Sequence, residues 1–553
     1  MLLAIITSLF VAVQDPIIQQ FAVRFAGGYL SEKTGADIKV GRLAVTPDFR
    51  VFIDDVTVKD LNGNNLAKIG TLRTKISIPD LLDGKIHLEN VDLRNTEANI
   101  IKYEGEEKFN FNFLVEAFGS TKEKPDKEPM PIIVDNISLK NIDFVYWNQN
   151  SDKPEKTENH LMDYSHIGLD DIQLKAKDFY MLGDSIHANI GLLSANEISG
   201  LELKDFKTDA VVCSKGIFLD GLKMETNNSQ FDLDLHMLYD DYSAFKDFVN
   251  KVNFDATIRP TDIMLSDIGV FTPVMYKMPD RVLFESRFTG PIEHFRVDDL
   301  VADIGKSTTI RGSLSMHPLD FENGEHTMNI KKMHFTYEDL VNFYIPSSTK
   351  TIPLPESLRP LNEGTISLDF KGSYNDFASN ISLKSGIGNI DASIDRSKDV
   401  KGNNQFSGYV DAERVKAGSL ANISKYVGDL DLNAGFTVKF PQKGGPEFLV
   451  DGQMANAQLL GNQIDVVKLD GDLKENRFKE DGYTGHEGLR KERAGLKGRK
   501  EGRLNRARDK SRAHHPHRGA GNSLGKNRGR AARAARYGVC RNRRKLYLQM
   551  YRN

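Results

Sequence analysis

Val51-Phe52-Ile53-Asp54-Asp55-Val56-Thr57-Val58 is the stretch whose reading decides the fold. Two apolar-x-apolar triplets flank a pair of polar residues. Residues two apart on a strand share a face, and the step from Ile53 to Val56 is three. An unbroken strand would therefore put the two triplets on opposite faces. A β-bulge at the Asp54-Asp55 pair absorbs the extra residue and adds twist. A hairpin turn at the pair is the alternative. The bulge is expected, because most copies of the pattern lack glycine at the central pair and so need no positive φ there.

The pattern recurs as Ile86–Leu93, Ile132–Leu139, Ile167–Leu174 and Ile217–Met224, with weaker copies at Phe295–Ala302 and Met328–Phe335. The spacing is too irregular for a strict solenoid. Plain alternation fills the intervals, as in Phe231–Leu235, Ile366–Phe370 and Leu430–Phe436. Short helical patterns are expected at Asn110–Phe118, Tyr242–Val252, Glu338–Tyr344 and Ala412–Val427. The polar, Pro- and Lys-rich run Gly119–Pro131 reads as an internal linker. A long run of similar strands with few helices predicts a mainly β chain built on one elongated, curved, mostly antiparallel sheet, groove-like rather than closed. Ordinary β-sandwich strands share the same period.

Met1–Val13 (MLLAIITSLFVAV) is uncharged and apolar. As a helix it would span only ~20 Å of a ~30 Å hydrocarbon core. It reads as the end of a membrane anchor, or as a buried N-terminal element. Residues 14–35 follow as an amphipathic helix: Ile17, Phe21, Phe25 and Tyr29 recur every four residues, and Lys33-Thr34-Gly35 supplies a basic last turn and a C′ glycine.

The chain has 553 residues and a net charge of −3, which hides a split. Residues 479–553 hold 23 Lys and Arg against 6 Asp and Glu. That is about +17, leaving about −20 on residues 1–478. The tail is rich in Arg and Gly and has no Ile or Phe. It reads as a nucleic-acid-binding arm, a solvated tail or, the reading adopted, a shifted reading frame after about residue 478. His514, His515 and His517 have no second ligand cluster to make a metal site. Cys213 and Cys540 fit no metal or redox spacing and leave the compartment open.

Signatures of chemistry are missing. The chain has no Walker A loop, no G-x-S-x-G, no H-E-x-x-H and no Rossmann fingerprint. Asp54-Asp55 and Asp170-Asp171 are neighbours on a strand, so each pair points to two faces and reads as bulge residues. Tyr146 and Trp147 read as an aromatic strand end. No catalysis, cofactor or metal is expected.

Several ordered segments of the first 120 or so residues carry a family resemblance. They are Tyr29–Gly35, Ile38–Leu43, Val56–Asp60 with Asn62-Gly63, Leu81–Ile86 and Val91–Thr96, behind the apolar N-terminus. Together they resemble the start of the AsmA-like superfamily, in particular its TamB type. Residues 132–478 fit the family's long β region by texture. The resemblance implies an inner-membrane anchor (1–13), an AsmA-like N-terminal β region (36–118), a linker (119–131) and an extended periplasmic β groove (132–478). It also implies phospholipid as the bound partner, a role in outer-membrane biogenesis, a possible outer-membrane barrel-assembly partner and no nucleic acid. The family's C-terminal domain and a basic stretch before the anchor are not found, so the chain looks like an N-terminal portion. The groove would be lined by Ile86, Leu88, Val91, Leu93, Val134, Ile137, Leu139, Leu169, Ile172 and Leu174. A closed core would use the same pattern. A scaffold that adds strands to outer-membrane β proteins is the alternative function.

Overall fold

The structure is a computed structural model. It describes residues 27–118, 129–151, 161–318, 324–345, 348–399, 401–420, 423–441, 445–459, 461–474, 477–480 and 484–485. These residues are mainly β, with a few short helices. They fall into two units, Met1–Pro355 with Thr365–Ser367, and Glu356–Gly364 with Leu368–Asn553. The expected anchor and the first part of the amphipathic helix lie outside the described residues, as does nearly all of the basic tail with its histidines. Among the described residues no helix is long and apolar enough to cross a membrane.

Residues 27–34 are helical. The helix stops where Lys33-Thr34-Gly35 predicts, with Gly35 at φ +73° and its N–H on the Ser31 carbonyl at 2.8 Å. Leu30 packs on a small core of Ala36, Ile38, Leu66 and Phe113.

The first unit then runs through β1 (Ile38–Val45), β2 (Arg50–Lys59), β3 (Asn65–Ile76), β4 (Ile86–Lys102), β5 (Ile132–Asn148), β6 (His166–Leu182), β7 (Ser185–Glu197), β8 (Glu202–Leu203) and β9 (Asp205–Cys213). It continues with β10 (Gly216–Glu225), β11 (Gln230–Leu238), β12 (Asn253–Met264), β13 (Arg281–Gly290), β14 (Arg296–Ile304), β15 (Thr308–Ser315) and β16 (His326–Thr336). Neighbours in sequence pair antiparallel, β7 pairing with both β8 and β9. The exception is β4–β5, which is parallel over its whole length. A parallel pair needs a crossover of a dozen or more residues. The helix Asn112–Phe118 and the run expected as a linker provide it. Residues 119–131 lie between two strands that pair within the first unit.

Every copy of the eight-residue pattern but one lies wholly inside a single strand, and Phe295–Ala302 starts one residue ahead of β14, so the bulge prevails over the hairpin. The conformational expectation is corrected, because positive φ is used. Asp55, Asp171, Gly221 and Asp299, the second residues of their central pairs, stand at φ 57°, 49°, 60° and 52°. Asp and Asn reach the left-handed region more readily than other non-glycine residues, so glycine is not required. In the Ile132–Leu139 copy the register with β4 runs through Asp135-Asn136 without a shift, and the left-handed residue is Asn141 instead. Asp55, Asn95 and Asn141 fall on one line across β2, β4 and β5, crossing β1 and β3 at Gly41 and Gly70. A Cβ on Gly41 would stand 2.7 Å from Asp55 Cβ, and one on Gly70 2.8 Å from the Asn95 carbonyl. Left-handed residues bend a strand. Bends at one level in neighbouring strands give the sheet a crease. A second line runs through Gly221 of β10 and Asp299 of β14, and Pro260 of β12 sits where the register shifts. A bulge is one of the few places in a sheet that admits proline.

β17 (Glu363–Gly372) has residues in both units. In the second unit β18 (Phe377–Ser385), β19 (Gly388–Lys398), β20 (Asn404–Val415), β21 (Leu430–Phe440), β22 (Glu447–Leu459) and β23 (Asn462–Lys474) form an antiparallel meander. The helices appear near Asn110–Phe118, Tyr242–Val252 and Glu338–Tyr344 as expected. Ala412–Val427 differs. Its first residues extend β20, and among its described residues the helix is Ala417–Leu420. Ala412 and Val415 are buried in strand pairing, which outweighs their helical spacing.

Candidate functional site

Cross-strand partners share a face, so the register can be read as rows running across the sheet. One row is Leu43–Ile53–Leu72–Leu93–Leu139–Leu174–Leu193, a branched aliphatic on each strand from β1 to β7. A second, on β9 to β16, is Ala210–Leu219–Leu235–Ala256–Phe288–Val297–Leu314–Met328. The second unit has its own rows, such as Leu383–Ile390–Ala412–Leu432–Met454–Val467 and Ile381–Ala392–Val410–Ala434–Gly452–Leu469. Its other face carries Ser382, Asp391, Asp411, Asn433, Gln453 and Lys468 in line.

The leucine row is half-buried throughout, neither sealed nor flat to solvent. Two packed sheets normally bury such side chains between them. Among the described residues, local buried clusters are found instead. Val282, Val297, Leu300 and Ala302 form one, and Tyr239, Ala244 and Val252 another, under the short helical segment Tyr242–Lys251. The apolar rows therefore keep surface able to take up more apolar material.

The register sorts the ten residues expected to line a groove. Val91, Leu93, Ile137, Leu139 and Leu174 come together in two adjacent rows. Ile86, Leu88 and Val134 lie further along the same face. On β3, Ile76 is the partner of Leu88, Thr74 of Val91 and Leu72 of Leu93, and residues two apart share a face. The register shift between Lys75 and Ile76 absorbs the odd step of the β4 copy. Val134 pairs with Leu88 and is buried at 4% exposure. Leu169 and Ile172 lie beyond the crease, opposite Phe144 and Ile142. Leu43, Ile53, Leu72 and Leu193 complete the leucine row but were not among the expected residues. Their signal, apolar residues at the same offset from Gly41, Asp55 and Gly70, becomes readable only once the strands are in register.

Polar groups pin the margins of this face. His87 stands between two carboxylates, its Nδ1 2.6 Å from Asp80 Oδ2 and its Nε2 3.0 Å from Asp135 Oδ1. Burial pulls its pKa down, but the bonds to Asp80 and then Asp135 outweigh that and raise it. Asp80 is held below the usual carboxylate range by Ser77 and then by His87. The trio ties the helix Ile78–Leu82 to β4 and β5. Asp55 and Asp171 occupy the left-handed bulge positions, and the Asp171 N–H is bonded to Asp143 Oδ1 at 3.1 Å. Trp147 lies near the end of β5, its ring 4.2 Å from that of His166. Among the described residues no cluster of His, Cys, Asp and Glu could hold a metal ion.

The chain matches no protein-family model, no curated protein and no solved structure.

Proposed function

We propose that this chain is an envelope protein of the AsmA/TamB kind, anchored in the inner membrane with its bulk in the periplasm. Its β sheet would carry phospholipid between membranes along its apolar face, in support of outer-membrane biogenesis. The observation that carries this reading is the half-buried leucine row that crosses β1 to β7 without a polar interruption. Acyl chains gain roughly 0.8 kcal/mol per CH₂ withdrawn from water. A creased apolar surface several strands wide shelters them while head groups stay at its rim. The sequence resemblance at residues 29–96 supplies the compartment and the cargo class; the geometry supplies a surface that suits both.

The test is lipid extraction and mass spectrometry of the chain purified without detergent. The proposal predicts phospholipid at one or more per chain, lost when Leu139 becomes Asp while circular dichroism keeps its β signature. Lipid no higher than on a control protein would overturn it. The scaffold alternative rests on a different feature: among the described residues β1 is paired on one edge only, with β2. Strand addition there would survive Leu139→Asp and fail when a proline replaces Val40 or Leu43.

A further inference from the structure

The face opposite the leucine row is polar, and its charges do not balance. Alternation sets Ser138 and Lys140 of β5 opposite Leu139 in facing, and Lys175 and Lys177 of β6 opposite Leu174. Ser138 pairs with Lys175, and Lys177 pairs with both Asn136 and Asn189. These residues, together with Ile137 and Ala176, line a depression of about 480 Å³, floored in part by Gly191, which adds no side chain to fill it.

Lys140, Lys175 and Lys177 are exposed, and none makes a close ion pair among the described residues, Lys140 acting on Asp92 only at longer range. The carboxylates near them are already engaged. Asp92 takes Arg94 Nε at 2.7 Å, Glu89 takes Lys75 Nζ at 2.7 Å, and Asp209 takes His187 Nε2 at 2.9 Å. Arg73, paired in register with Asp92, lies over the Phe52 ring at 5.6 Å and adds a further cation. Like charges side by side on a sheet face repel and cost stability. Here they gather at one concavity of a body that is otherwise acidic. An anion seated there would remove the repulsion, with ammonium groups, two side-chain amides and a hydroxyl to donate to its oxygens.

We propose that this depression binds a phosphate group, borne either by a soluble phosphomonoester or by a phospholipid head group. The proposal does not rest on lipid carriage along the apolar rows, since it uses the other face of the sheet.

The test uses the full chain at about 0.15 M salt, where distant surface charges are screened. Glycerol 3-phosphate is titrated by calorimetry against a glycerol control. Phosphatidylglycerol vesicles are co-sedimented against vesicles of digalactosyldiacylglycerol, whose head group carries no phosphate. Both are repeated with Lys140→Gln/Lys175→Gln/Lys177→Gln and with a control triple in the second unit, Lys384→Gln/Lys398→Gln/Lys468→Gln. The expected result is selective binding in at least one arm, weakened about tenfold or more by the first triple and unchanged by the second, as loss of charge-assisted bonds to phosphate requires. Binding of glycerol 3-phosphate marks a soluble ligand, and binding of vesicles alone marks a head group. The proposal falls if neither probe binds above its control, or if the two triples weaken binding equally, which would assign it to diffuse charge.

Discussion

Asn141 donates its side-chain N–H to Asn95 Oδ1 at 2.8 Å, and both residues hold the left-handed backbone, at φ 55° and 52°. The bond links β4 to β5 at the line where the sheet creases. It pairs two residues whose side chains and backbones are both suited to that place.

The first prediction concerns this line. Asn95→Gly removes the Asn95–Asn141 bond but fits the backbone, and is expected to cost about 1 kcal/mol. Asn95→Val adds the strain of a β-branched residue at positive φ and is expected to cost about 2–3 kcal/mol. Gly70→Ala is expected to be harmful too, because its Cβ would meet the Asn95 carbonyl at 2.8 Å. Urea denaturation of the three variants checks the order; equal midpoints for Asn95→Gly and Asn95→Val would deny the crease its conformational basis.

His87 predicts a pH dependence. Its folded pKa is raised, so its contribution to stability is present in full below the unfolded value of 6.5 and fades as pH rises through the folded value. Asp80 runs the other way: its folded pKa is lowered, so its share is present above 3.8 and is lost as pH falls through the folded value. The tie among Asp80, His87 and Asp135 is therefore strongest in mildly acidic solution. His87→Gln should flatten the loss of stability between pH 6 and pH 9, as thermal melts across that range would record.

Asp267 predicts acid sensitivity elsewhere. Its carboxylate is 6% exposed and accepts Thr226 Oγ1 at 2.6 Å, Ser229 Oγ at 2.9 Å, and both the backbone and side-chain N–H of Asn228 at 3.0 Å. Burial pushes its pKa up, but the bonds from Thr226, Asn228 and Ser229 prevail and hold it low. The stability it confers is present above 3.8 and lost as pH falls through the lower folded value. Asp267→Ala leaves four donors without their acceptor and is expected to cost about 2–3 kcal/mol at neutral pH. Hydrogen exchange at Asn228 and Ser229 should then lose its protection first.

Arg396 gives a prediction for the second unit. It is buried at 8% exposure, lies over the Tyr374 ring at 4.4 Å and the Phe406 ring at 5.3 Å, and donates Nη1 to the Tyr374 carbonyl at 2.7 Å. A planar guanidinium can stack and donate at once, whereas an ammonium cannot do both here. Arg396→Lys is therefore expected to destabilise the unit by about 1–2 kcal/mol, measured by chemical denaturation, although it keeps the charge.

The sequence alone determined the class of structure. Triplets such as those in VFIDDVTV can alternate only as strands, and their odd central step called for a bulge that Asp55 and Asp171 provide. Gly35 marked the end of the first helix for an equally local reason, since its φ of +73° suits glycine above all. What the sequence could not determine is which strands meet. Leu88 and Leu93 look alike in the chain, yet one pairs with buried Val134 and the other joins the half-buried leucine row. Ala412 sits in a run of helical spacing and becomes strand because β19 and β21 pair with it on both sides. Lys140, Lys175 and Lys177 are ordinary solvated residues until β5 and β6 set them around one depression. The turn and bulge conformations at Gly35, Asp55 and Asp171 answer to nearest neighbours, so they are written locally. Facing and burial depend on the register of partners that are distant in the chain, and only the tertiary structure decides that.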